Sequence, residues 1–405
     1  MLNLKFQIKI ALFYLLITAL LGLLLRVIPI ADFSANYRFI VHTHSHIALL
    51  GWVYLALTSI LFYIGIPAQK KKTYSKIFWC TQITIIGMLC SFPFIGYALY
   101  SIIFSTLFIL CSYWFYFFFK KNHHLNKDTI SYKFINISLV FMVLSSIGPW
   151  LLGIIMNTLG STSHWYKNAI YFYLHFQYNG WFLFCLIGIL FYILEKNNVP
   201  FSIKNAKQFY LYFGISCLGT LFLSFLWIKP HINIIIIATI AALTQLSSVF
   251  IFNSIAKSVA KKLKEIFGVF QYKILQFIFG LLFLKIGMQF LSAFPYFTEI
   301  TYKYIDFVIG YLHLTFLGII TLSLILFLEN LKLIILPKVW TKIYLLGFLL
   351  SELLIFYKGI AIWLLFSYTD NYFLYLVIIS SLIPISILGI FIKNLKKPTQ
   401  TINAL

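Results

Sequence analysis

Three histidines stand at one register on three separate apolar segments, in His46-Ile-Ala-Leu-Leu-Gly51-Trp52, His175-Phe-Gln-Tyr-Asn-Gly180-Trp181 and His313-Leu-Thr-Phe-Leu-Gly318, at nearly equal intervals along the chain. An imidazole inside hydrocarbon is costly unless it has a partner, so the repetition points to metal ligands or hydrogen-bonded anchors turned toward a common interior. The densest element is Arg38-Phe-Ile-Val-His42-Thr-His44-Ser-His46. At about 100° per residue, His42 and His46 share one helical face and His44 looks the other way, so one face is free to ligate a metal while the other meets propionates, headgroups or water. Neutral imidazole is a good axial ligand for non-covalent haem held among apolar helices. The glycine five positions after each histidine permits close approach of a neighbouring helix or a flat cofactor.

Other chemistry-bearing residues are few. Arg26 and Arg38 are the sole arginines among 31 basic residues. A guanidinium fork near the first histidine cluster suits haem propionates, and a snorkelling role suits it equally. Lys285 and Glu352 fall inside apolar segments, where a charge needs a partner. They either pair with each other as a structural unit or separately line a proton path, with Tyr311 as a further buried polar group. His175, beside Gln177 and Asn179, is open to two readings, metal ligand or member of a polar network. His123, His124, His164 and His231 lie in loops or at segment edges, where water satisfies them.

These residues must be carried by membrane helices. Of the 405 residues 62% are hydrophobic and 10% charged, with 44 Phe and 27 Tyr, far from a soluble composition. Segments long enough to cross roughly 30 Å of hydrocarbon occur twelve times. Their approximate spans are 8–30, 41–67, 77–97, 100–119, 135–158, 169–194, 208–228, 232–255, 274–296, 304–328, 341–363 and 372–392. The expected fold is an all-α polytopic bundle of one domain, 1–405. Most of the lysines fall in alternate connections and at the two termini, which predicts both ends on the cytoplasmic side. Basic loops lie well against anionic lipid, so the net charge of +22 requires no nucleic acid. The first segment lacks a small-residue cleavage site and reads as a retained span rather than a signal peptide. The five cysteines all lie in spans and form no haem-attachment, zinc or disulfide pattern.

Taken together, these elements resemble subunit I of the haem-copper oxidase superfamily, in its cbb3-type and nitric oxide reductase-like branches. That family has twelve helices in three pseudo-repeated arcs of four, with ligating histidines on helices two, six, seven and ten. The three His-x4-Gly elements fall on helices two, six and ten, and Arg38 ahead of His42-Thr-His44 is similar to the family's entrance to helix two. Gly310-Tyr311-Leu312-His313 is similar to the helix-ten Gly-His-x-His, whose second histidine, carried onto His313, holds the low-spin haem. Tyr311 replaces the high-spin haem ligand, and 208–227 lacks the helix-seven histidines of the copper site. His175 alone does not make a copper centre.

The resemblance therefore implies one low-spin haem b coordinated by His313 and one of His42, His44 or His46, with a second haem or copper not expected. It also implies electron transfer with a cytochrome, quinol or other respiratory subunit as partner, and a bacterial plasma membrane location. A complete oxygen or nitric oxide reductase centre is disfavoured, leaving the question of an enzyme open. Two other classes fit twelve spans: an ion or small-molecule transporter with a histidine-lined outer site, and a non-catalytic structural subunit of a respiratory complex.

Overall fold

The computed structural model describes residues 4–31 and 34–395. The described residues are predominantly helical, with no strand, and twelve helices are long and apolar enough to cross a membrane: Leu4–Val27, Tyr37–Gly65, Ala68–Ile95, Leu99–Asn122, Ile130–Thr158, His164–Lys196, Ile203–Ile228, Ile232–Ser258, Val269–Leu291, Ile305–Asn330, Lys338–Trp363 and Tyr372–Leu395. Each coincides with one expected span. Most observed helices begin a few residues earlier, because polar residues of the first turn stay helical where a hydropathy window stops counting them.

Two of the short connections have local causes. Between the third and fourth spans the chain turns at Gly96, whose φ of +57° lies where a side chain is disfavoured. Between the seventh and eighth it turns at Lys229, in the left-handed region, immediately before Pro230. The fifth span breaks at Ser146 because Pro149 cannot donate to the carbonyl one turn back. A short helix, Ala260–Phe267, precedes the ninth span; there Lys262 and Glu265 form a salt bridge at 2.8 Å. Glu265 is held below the usual carboxylate range mainly by that hydrogen bond.

The chain forms two compact units. One comprises 1–125, 324–361 and 365–405; the other comprises 126–323 with 362–364. In the first, the first span packs on the second and the twelfth, and the third on the fourth. Its aromatic centre is Tyr74, stacked on Phe62 with centroids 4.1 Å apart. Asn394 clamps this unit by donating to the Ile335 carbonyl (2.9 Å) while accepting from the Ile335 N–H (2.8 Å).

In the second unit the fifth span packs on the sixth, the seventh on the eighth, the eighth on the ninth, and the ninth on the tenth. Phe134 sits centrally among Phe184, Phe191, Phe209 and Tyr210. The carboxylate of Glu195 closes the start of the fifth span, accepting from the Ile130 N–H (2.9 Å), the Ser131 N–H (3.3 Å) and the Ser131 hydroxyl. A carboxylate there complements the positive end of the helix dipole.

The three histidine-bearing spans stand apart from the other nine. They are the most enclosed, with 89%, 83% and 72% of their apolar windows buried against 56% or less elsewhere. Each also departs from α-helical winding at the histidine. Eight-residue π-helical stretches run over Ile47–Tyr54, His175–Phe182 and Leu314–Thr321. Winding of this kind is rare, usually confined to a single turn, and concentrated at functional positions. It appears here three times at one register, and in each case the preceding span packs against it.

Candidate functional site

The glycines of the first two elements accept a neighbouring helix. A Cβ on Gly51 would lie 3.0 Å from Cγ of Tyr14 on the first span, and one on Gly180 would lie 2.8 Å from Cβ of Phe141 on the fifth. Of the two partners left open for these glycines, a helix or a flat cofactor, Gly51 and Gly180 take the helix.

On the second span the histidines divide as their phase predicts. His42 and His46 face the third span and the turn after it. The His46 ring packs on Phe92 with centroids 4.4 Å apart, and the His42 ring meets Tyr97 edge-on at 4.6 Å. His46 Nδ1–H donates to the His42 carbonyl at 2.9 Å, and the Tyr97 hydroxyl lies 3.2 Å from His46 Nε2, so both ring nitrogens are engaged.

His44 turns the other way, toward the first span. Its Nδ1–H donates to the Thr18 carbonyl at 3.0 Å. The ring lies against Gly22, where a Cβ would come within 2.9 Å of Cε1 but 3.9 Å of Nε2. Because the proton is committed at Nδ1, Nε2 carries the lone pair. An imidazole fixed through Nδ1–H on a backbone carbonyl is the arrangement that orients metal-binding histidines.

Arg26, one turn beyond Gly22, is directed at the Ser380 hydroxyl and lies within electrostatic reach of Glu352, both in its own unit. Arg38 is exposed at the start of the second span. The arrangement therefore gives Arg26 protein partners and leaves Arg38 in the position of an interfacial cation.

The second unit holds a different kind of site, centred on Lys285, which is completely buried in the ninth span. Its ammonium donates to Asn179 Oδ1 at 2.6 Å and to Gln289 Oε1 at 2.7 Å. It also lies over the rings of Tyr178 (5.6 Å) and Tyr311 (5.3 Å). Two amide oxygens and two aromatic faces all present negative potential to Nζ, an environment suited to a cation without a carboxylate.

Asn179 then donates through Nδ2 to His175 Nδ1 at 3.2 Å, and His175 Nε2–H donates to the Cys217 carbonyl at 2.8 Å. The donors all run one way, from Lys285 to Asn179 to His175 to the seventh span. Of the two readings of His175, the hydrogen bonds favour the polar network, because both of its ring nitrogens are engaged. Lys285 has neutral amide partners in its own unit, and Arg26 is a charge within electrostatic reach of Glu352. Tyr311 contributes its ring face to Lys285. His313 is partly buried at the end of the α-helical turn that leads into the third π-helical stretch.

Among the described residues no group of three or more His, Cys, Asp and Glu side chains converges as a metal site. A bis-imidazole haem needs two axial nitrogens, and His44 has the geometry for one.

Sequence reasoning did not single out Thr18, Gly22, Tyr97 or Gln289. Gln289 was within reach of it, four residues after Lys285 on one helical face. Thr18 acts through its carbonyl, which no side-chain pattern announces. The chain matches no protein-family model and no curated protein.

Proposed function

We propose that this chain is a membrane haem protein that transfers electrons, with His44 as an axial ligand of one low-spin haem b. The observation that carries the reading is the Nδ1–H bond of His44 to the Thr18 carbonyl, which fixes the tautomer and frees Nε2 for iron. It favours His44 among the three histidines of the second span, since His46 Nε2 meets the Tyr97 hydroxyl and His42 lies at the Tyr97 edge. The resemblance carries the role of second ligand onto His313 of the tenth span.

Held by His44 and a second imidazole, such a haem would supply one-electron transfer. The chain's own residues supply the rest. Thr18 holds the imidazole proton, Gly22 gives the ring room against the first span, and the apolar bundle excludes water. In this reading the protein is not itself an oxygen or nitric oxide reductase. It passes electrons to or from a cytochrome, quinol or respiratory subunit in a bacterial plasma membrane, with both termini cytoplasmic. The basic connections support that orientation.

The test is an absorption spectrum and pyridine haemochrome on protein purified from haem-supplemented cells. The expected result is one haem b per chain, lost in His44→Ala and His313→Ala and kept in His42→Ala and His46→Ala. Protein that is folded and haem-free, or a His44→Ala variant with an unchanged spectrum, would overturn the proposal.

A further inference from the structure

The Lys285 network has a property that neither a structural anchor nor a haem protein requires. Asn179 stands between two bases and offers oxygen to one and N–H to the other. Lys285 as an ammonium needs the oxygen, and His175 with a bare Nδ1 needs the donor. If His175 gained a proton at Nδ1, that N–H would face the Asn179 N–H. The amide would then have to turn by half a revolution, presenting Oδ1 to His175 and N–H to Lys285.

The turned arrangement is satisfied only when Lys285 has given up a proton, since its lone pair must then accept. His175 Nε2–H still donates to the Cys217 carbonyl, and Lys285 still donates to Gln289. Both single-cation states thus satisfy every partner, and the state with two cations satisfies neither orientation.

We propose that Lys285, Asn179 and His175 form an intramembrane proton-binding site that holds one proton beyond the neutral pair, on either base, with the Asn179 amide turning to follow it. The proton that leaves Lys285 is taken up by water, and the one that arrives on Nδ1 of His175 comes from water. No bond other than N–H changes, and the total charge of the site is conserved. The other titratable groups facing the site are the phenols of Tyr178 and Tyr311 and the thiol of Cys217. The partners that surround the Lys285 ammonium are amide oxygens and aromatic faces. The inference is independent of haem binding, since none of its three residues is a proposed ligand.

The test is nitrogen NMR on full-length protein labelled at histidine and lysine, with His175 assigned by its loss in His175→Gln. In the wild type, His175 is expected to show one protonated and one bare nitrogen wherever Lys285 is an ammonium. In Lys285→Met, His175 should take up its second proton at a pH at least one unit higher, a tenfold gain in proton affinity. That gain should shrink to less than half a unit when Asn179→Leu is already present, because simple charge repulsion would survive the loss of the amide. In Asn179→Asp both bases should be cationic together around the carboxylate. Two cations with Asn179 intact, or an unaltered His175 midpoint in Lys285→Met, would overturn the proposal. Should Lys285→Met fail to fold, Lys285→Gln and Asn179→Asp decide by the same signals.

Discussion

Replacing Asn179 with leucine, close to it in size, removes the middle of the buried chain without opening a cavity. Two groups lose partners: the Lys285 ammonium loses an acceptor at 2.6 Å and His175 Nδ1 loses a donor at 3.2 Å. Hydrogen bonds between membrane helices average only about 0.6 kcal/mol in stability, because the unfolded chain also finds partners. The lysine bond belongs to a stronger class. A hydrogen bond to a charged group contributes roughly 1.5–3 kcal/mol, and a donor or acceptor left orphaned costs about 1–3 kcal/mol. Asn179→Leu should therefore cost about 3–5 kcal/mol, in the range found on breaking a buried charged pair. In Lys285→Met the cation is gone, and the same substitution should cost only about 1–2 kcal/mol, the share of His175. The coupling of roughly 2–3 kcal/mol is measurable by a double-mutant cycle in reversible detergent unfolding. Equal costs in the two backgrounds would mean that Asn179 does not hold the ammonium, and the account of the site would fall.

Four other perturbations separate structure from function. Gly22→Ala should push the His44 ring by a few tenths of an ångström and shift or weaken the haem spectrum with little loss of fold, since the obstructing atom is the end of a side chain 2.9 Å away. Gly180→Ala meets Phe141 Cβ and Cγ at 2.8 Å and should cost about 1–3 kcal/mol by overpacking, with Phe141→Leu partly restoring thermal stability. Glu195→Gln weakens the charged acceptor at the head of the fifth span and should lower stability by roughly 1 kcal/mol without touching bound haem, as unfolding and absorption read in parallel will show. Asn394→Ala leaves both polar groups of Ile335 without their clamp and should speed proteolysis around 331–337.

The spans were legible in the sequence because twelve apolar stretches separated by basic connections leave few other ways to cross a bilayer. Helical phase also carried through: four residues bring His46 back over His42, and His44 is sent to the opposite side. What the residues could not show was which partners the histidines would take. Those of His44 and His175 are carbonyl oxygens of Thr18 and Cys217, fixed by packing between spans and carrying no residue signature. Lys285 and Glu352 were recognised as charges in need of company, and the sequence left open whether they meet each other or serve separately. The fold supplied amides to the first and an arginine to the second. The π-helical winding was equally hidden, since no residue pattern in the three stretches announces it.

That winding governs where each histidine points. Every widened stretch takes up backbone that an ordinary helix would spend on further rotation, and each histidine stands at its leading edge. Shortening one stretch by a single residue would swing all that precedes it by about 100° around the axis. His44 would be carried off Thr18, or His175 off Asn179, while the enclosed half of the span kept its seat. The three widenings thus work as angular spacers, letting the apolar half of each helix answer to the bundle and the imidazole half answer to its chemistry.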